Sequence, residues 1–206
     1  GDRMPVPLFP GFHTTASIEA IRRAGQDYSW FILDSAIAGK EFLLSGSEQN
    51  PELTDKSLKK FASKAGSGLP PSIAEFAERG VDWVVADTIE ELVAGLNETL
   101  REGEPELDVE KVREFVLAMD GQMDNPFAKD AQVQAIPNSR RVLTDKLMRL
   151  AKPHRLLKDS GPGKGSAAGS GGPLIGVKVH LMTRKTLGGI ETTLDSQCLT
   201  PEGEVF

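Results

Sequence analysis

The stretch "PLIGVKVHLMTRKTLGGIETTLDS" (residues 173–196) decides how the chain is read. Ile175, Val177, Val179 and Leu181 alternate with Gly176, Lys178, His180 and Met182, the period-two pattern of a half-buried strand. "GIETTLDS" (189–196) predicts a second strand and "TPEG" (200–203) a turn after it. Between the strands, Arg184 and Lys185 lead into a Thr186-Leu187-Gly188-Gly189 corner. Adjacent glycines admit positive φ and remove two Cβ atoms, so a second backbone or a flat ligand can come close. A bare hairpin turn needs no more than that. Two cations, a hydroxyl and amide donors at one corner also suit an anion or a carbonyl oxygen. A solvated loop lysine is the plain alternative for Lys185.

Working outward, "GPGKGSAAGSGGP" (161–173) holds six glycines and two prolines, too little apolar content to offset the entropy of ordering, and reads as a flexible linker. Gly163-x-Gly165-x-x-Ala168 matches a relaxed dinucleotide fingerprint, but "RLLKDS" before it is no strand and "GSGGP" after it opens no helix. The match is rejected.

Upstream, the chain alternates helical patterns with short strands, an α+β arrangement. Residues 1–13 carry Pro5, Pro7 and Pro10 and should be extended. Thr14 or Thr15 is expected to cap a helix that Gly25 ends, and Asp34 to cap one after the strand "YSWFILD" (28–34). Further helices are expected over Leu58–Ala62 and from about Ser139 to Ala151. Ser72-x-x-Glu75 and Thr88-x-x-Glu91 fit capping boxes on either side of the strand "VDWVVA" (81–86). Asp108 opens a helix with Val109, Val112, Phe115, Val116 and Met119 inward, and Trp30 and Trp83 are expected in the core.

The bulk properties narrow the function classes. A net charge of -6 with both signs interspersed disfavours a nucleic-acid binder, and the basic run at 140–158 reads as a solvated face. No apolar run reaches the roughly 18 residues of a membrane span, and no signal peptide is visible at the start. The single cysteine, Cys198, forms no internal bridge and implies a reducing, cytoplasmic setting; no spaced Cys/His cluster points to a metal. The opening "GDRMPVPLFPGF" and the closing "PEGEVF" both look cut.

"GPLIGVKVHLMTRKTLGGIETTLDSQCLTPEGEVF" (172–206) resembles the segment of FAD-dependent fumarate reductases, succinate dehydrogenase flavoprotein subunits and 3-ketosteroid dehydrogenases in which the chain returns from the substrate cap to the flavin domain. "SWFILDSAIAGKEFLLSGSEQNPELT" (29–54), "DNPFAKDAQVQAI" (124–136) and "AKPHRLL" (151–157) are similar to the cap of the bacterial "FAD-binding dehydrogenase" branch. The resemblance implies a connector at 1–13, a helix-rich cap at 14–157, the linker at 158–173 and, at 174–206, a β-hairpin belonging to the FAD-binding domain. It implies an oxidoreductase that oxidises or reduces a CH–CH bond beside a carbonyl or carboxylate by hydride transfer with FAD, acting on a small-molecule substrate.

Within it, Lys185 takes the place of a histidine that binds substrate carboxylate in fumarate reductases, and Arg184 stands beside it as a second catalytic candidate. Thr186, Leu187, Gly188 and Gly189 are implied to lie against the flavin. Lys129, Lys152, His154 and Arg155 are candidate substrate contacts, although cations after a helix C-terminus explain the last three equally well. His180 reads as a satisfied surface histidine. The family's N-terminal glycine fingerprint and its C-terminal flavin segment are absent, so this chain alone is expected neither to hold FAD tightly nor to turn over, and those segments would be its partners. The alternative is a non-catalytic α+β module docking through its C-terminal hairpin. That module would pair the hairpin inside the chain, whereas a cap fragment would leave it with an unpaired apolar edge.

Overall fold

The computed structural model describes residues 14–41, 55, 69–127, 130, 133–134, 141–143, 154–159, 172–182 and 190–206. Its strands are β1 (Tyr28–Asp34), β2 (Trp83–Ala86) and β3 (Leu174–His180), joined as one antiparallel sheet in the order β1-β3-β2. The helices are α1 (Thr14–Arg23), α2 (Ser35–Lys40), α3 (Pro71–Arg79), α4 (Ile89–Glu98), α5 (Val109–Asp124) and α6 (Leu156–Asp159). The α+β class holds. The helices expected near residues 58 and 139–151 fall largely outside the described residues.

Register assigns the faces of the sheet. Trp30, Ile32 and Asp34 stand opposite Lys178, Gly176 and Leu174, and Val84 and Ala86 join them from β2. This face meets Leu92, Val93 and Leu96 of α4 and Val112 and Val116 of α5. On the other face, Leu33, Ile175, Val177 and Trp83 meet Ala38 of α2 and Ile73 of α3. Each fully buried leucine or isoleucine here contributes roughly 1.5–3 kcal/mol. Helices therefore cover both faces of the central strand, and every residue from Leu174 to Lys178 is buried. The alternation in its sequence promised one wet face; Gly176 and Lys178 are instead inside.

Two expectations about the C-terminal hairpin change. Its first arm, β3, is not orphaned but hydrogen-bonded on both edges, to β1 and to β2. Residues 190–206 pair with themselves: the Leu199 amide donates to the Glu191 carbonyl at 2.8 Å, and the Phe206 amide to the Cys198 carbonyl at 2.8 Å. Isolated bridges Thr192–Cys198 and Leu199–Val205 complete two short turns. The corner between lies outside the described residues.

Local chemistry explains where the helices begin. Asp34 Oδ1 accepts from the Ile37 amide at 2.9 Å, and Thr88 Oγ1 from the Glu91 amide at 3.2 Å, as their positions before apolar runs predict. Asp108 accepts from the Lys111 and Glu110 amides, which hold its carboxyl below the usual range. Two expected caps fail. Thr14 is already helical, and α3 starts at Pro71, whose fixed φ suits the first helical position, so Ser72 sits inside the turn. Its Oγ is buried and finds no hydrogen-bond partner among the described residues. On α5, Val112, Val116 and Asp120 face inward, while Phe115, expected inside, is 41% exposed. Asp120 holds the inward position because it caps α6. Trp30 and Trp83, expected in the core, are half-buried against it.

Glycine at 176 lets α4 approach the sheet: a Cβ there would lie 2.7 Å from Leu96 Cδ2. Gly176→Ala is expected to lower stability by about 1–3 kcal/mol, and Leu96→Ala by about 2–5 kcal/mol. In a urea-denaturation double-mutant cycle the pair should cost less than the sum, because the shortened side chain makes room for the added methyl.

Candidate functional site

Most residues singled out from the sequence, namely Arg184, Lys185, Thr186, Leu187, Gly188, Gly189, Lys129 and Lys152, lie outside the described residues. His154 and Arg155 are described, and the fold sends them to different partners. His154 is buried, its Nε2 against Asp34 Oδ2. The other oxygen of Asp34 caps α2, and the next residue, Ser35, donates its amide to the Pro173 carbonyl at 3.1 Å. The β1–α2 junction thus holds His154 from one side and the entry to β3 from the other. Arg155 Nη1 donates to Asp124 Oδ1 at 2.7 Å. Both carboxylate oxygens of the buried Asp120 accept from the first amides of α6, Leu156 at 2.8 Å and Leu157 at 2.9 Å. The 154–157 segment is anchored to α5 and β1 by three carboxylates.

A second set of charges gathers at the far end of β3. Lys178 is 4% exposed, and its Nζ donates to Glu104 Oε2 at 2.8 Å and to the Thr99 carbonyl at 3.3 Å. The ammonium stands 4.2 Å from the centre of the Tyr28 ring and 5.6 Å from that of Trp30, within cation–π range. Glu104 also accepts from the Arg101 amide at 2.9 Å and Nε at 2.7 Å, and Arg101 Nη2 reaches Asp27 Oδ1 at 2.9 Å. The hydrogen bond from Lys178, reinforced by Arg101, draws the Glu104 carboxyl down to about 2. Burial pushes the Tyr28 phenol up, with the Glu104 charge adding to it. The Tyr28 hydroxyl is buried and finds no hydrogen-bond partner among the described residues. Next to this cluster, His180 Nε2 lies 3.3 Å from Asp82 Oδ2 at the surface, as a satisfied surface histidine should.

Sequence reading missed both clusters. Asp34 was legible as a cap but not as the partner of a histidine 120 residues away. A lysine within an otherwise apolar strand was the available signal for Lys178. Strand alternation placed it in solvent.

The described residues do not fit the pyrophosphate of FAD. Such a group needs a glycine turn and free amides at the start of a helix that follows a strand. Here the helices after β1 and β2 follow no glycine turn and open on Asp34 and Thr88, whose side-chain oxygens each already accept from one first-turn amide. Among the described residues, no group of three or more His, Cys, Asp or Glu is placed to hold a metal, and no helix is long and apolar enough to cross a membrane.

Two measurements test these arrangements. A carboxyl drawn from 4.5 to about 2 in the folded protein contributes stability that is complete above pH 4.5 and is lost as the pH falls towards 2. Glu104→Gln should therefore melt below the parent at neutral pH, and the gap between their melting temperatures should close between pH 4.5 and 2. His154→Phe leaves the Asp34 carboxylate buried with one partner fewer. A loss of about 3–5 kcal/mol in denaturant unfolding is expected.

The chain is 46% identical, along all 206 residues, to a KsdD-like steroid dehydrogenase of Mycolicibacterium smegmatis, of which it covers 36%. KsdD-like steroid dehydrogenases from two strains of Mycobacterium tuberculosis are 46% identical over 204 residues, 98% of this chain and 34% of theirs. No family model matches the chain, and no solved structure matches it. The resemblance noted from the return segment and the cap stretches thus extends along the whole chain. The chain is a homologue of the KsdD-like steroid dehydrogenases, matched from end to end with about a third of their length.

Proposed function

We propose that this chain supplies the substrate cap and return segment of an FAD-dependent, cytoplasmic oxidoreductase acting on a CH–CH bond beside a carbonyl, with 3-ketosteroids as the substrate class. The observation that carries this reading is 46% identity to KsdD-like steroid dehydrogenases over the whole chain. Redox chemistry is the flavin's, and a protein cation beside the substrate oxygen stabilises the charge that develops there. In this reading Lys185, with Arg184 beside it, binds that oxygen. Thr186, Leu187, Gly188 and Gly189 lie against the flavin, which is held mainly by segments other than those described. Lys129 and Lys152 remain candidate substrate contacts. His154 and Arg155, candidates as well, are engaged with Asp34 and Asp124. The isolated chain binds FAD weakly and does not turn over.

The docking-module reading gains one observation, the pairing of β3 inside the chain. A cap that owns its sheet shows the same pairing, and identity to the dehydrogenases favours the cap. The test is purification of a protein carrying this chain within the full length of its relatives, beside the 206-residue chain alone. Flavin absorbance and dehydrogenation of a 3-ketosteroid, with an artificial electron acceptor, are expected of the former only. Lys185→Ala should then lower kcat/KM on the order of 10²–10³-fold. Absence of flavin from both proteins would sink the proposal in favour of the docking module.

A further inference from the structure

Residues 190–206 form three short arms joined by two tight turns. The Thr193 amide donates to the Gln197 carbonyl and the Leu199 amide to the Glu191 carbonyl, each at 2.8 Å, which pairs the first arm with the second. The Thr200 amide donates to the Glu204 carbonyl and the Phe206 amide to the Cys198 carbonyl, again at 2.8 Å, which pairs the second with the third. In this register Thr192, Cys198 and Phe206 stand in one row, and Glu191, Leu199 and Val205 in the next, on the opposite face. Among the described residues, every hydrogen bond of the segment has both ends inside it. So small a sheet keeps its shape in water only with a face packed on something. Neither face is packed here: no residue of the segment is buried, Leu194 is fully exposed, and Phe206, Ile190 and Val205 are 95%, 75% and 53% exposed. Ser196, in the first turn, holds a φ of 64°, a left-handed conformation that a residue with a Cβ keeps only where its surroundings impose it.

The charge of the segment is one-sided. It carries Glu191, Asp195, Glu202 and Glu204 and no lysine or arginine, and among the described residues none of these acids is ion-paired. Exposed apolar side chains among unpaired acids suit a partner surface that is apolar with a basic rim. We propose that residues 190–206 are a docking element for the remainder of the full-length polypeptide, seated on an apolar surface there that lysine or arginine borders. The inference rests on the reading under Proposed function that this chain is part of a longer dehydrogenase. Two observations favour that occupant over a second copy. The chain covers 36% of the Mycolicibacterium smegmatis relative, so most of such a protein is tethered to the segment and held near it at high effective concentration. A second copy would bring a net charge of -6 to a segment that is itself acidic. The docking element is also smaller than the hairpin expected at 174–206, because β3 stays in the sheet with β1 and β2.

The experiment follows amide exchange at Leu199 and Phe206 in the full-length protein, in the 206-residue chain and in a synthetic peptide of residues 190–206. Exchange in the full-length protein is expected to be slower than in the peptide by on the order of 10²-fold or more, and exchange in the 206-residue chain to match the peptide. Protection of β3 in the 206-residue chain reports that its body is folded. If it is not folded, Phe206→Ser and Leu194→Ser in the full-length protein decide, each expected to return the segment towards the rate of the peptide. High salt should speed exchange in the full-length protein, and protection that salt leaves unchanged would overturn the basic rim. Exchange equally fast in full-length protein and peptide would overturn the docking. So would equal protection in the folded 206-residue chain, with sedimentation then telling a second copy from a contact inside one chain. Protection without flavin or turnover removes the reaction reading and leaves the docking, whereas flavin and turnover without protection remove the docking alone.

Discussion

A strand hydrogen-bonded on both edges has no backbone groups left to offer, and β3 is in that position from Leu174 to Val177. The rest of the described structure depends on it. Because β1 and β2 lie on either side of β3 and never pair with each other, the body's sheet exists only when β3 is in place. Helices α4 and α5 on one face, and α2 and α3 on the other, then have a surface to bury against. Residues 190–206 are left to pair among themselves, and none of them is buried.

The polar groups enclosed by this arrangement sit where segments distant in sequence meet. Asp34 joins β1, α2 and His154; Asp120 joins α5 and α6; Lys178 joins β3 to the loop between α4 and α5. An apolar contact in any of these places would hold the segments together without dictating how they are oriented. Hydrogen-bonded charges dictate orientation, at a desolvation cost offset only when every partner is in place.

How much of this was legible follows from the range of each interaction. Caps act within three residues, so Asp34, Thr88 and Asp108 could be read directly. Ser72 was misread because Pro71 competes for the same helix start and its preference is stronger. The strands were visible as apolar runs, but their order was not, since pairing as distant as that of Tyr28 with His180 leaves no local trace. That gap in turn produced the errors about Lys178 and the hairpin edge: alternation is a reliable guide to exposure only for a strand with one covered face. The buried pairs were illegible for the same reason. The family resemblance needed no such inference, because it rests on matched residues along the chain.

The order of the strands also has a consequence for how the protein is made. β1 and β2 leave the ribosome first, the second ending at Ala86, while the strand that must lie between them begins at Leu174. At about 5–20 residues per second, the two outer strands wait on the order of ten seconds for their centre. During that interval both present unpaired edges, and the apolar face of α4 has no sheet to cover it. The nascent chain is therefore exposed to mispairing between the release of Ala86 and that of Leu174, the interval in which "YSWFILD" and "WVVA" need shielding.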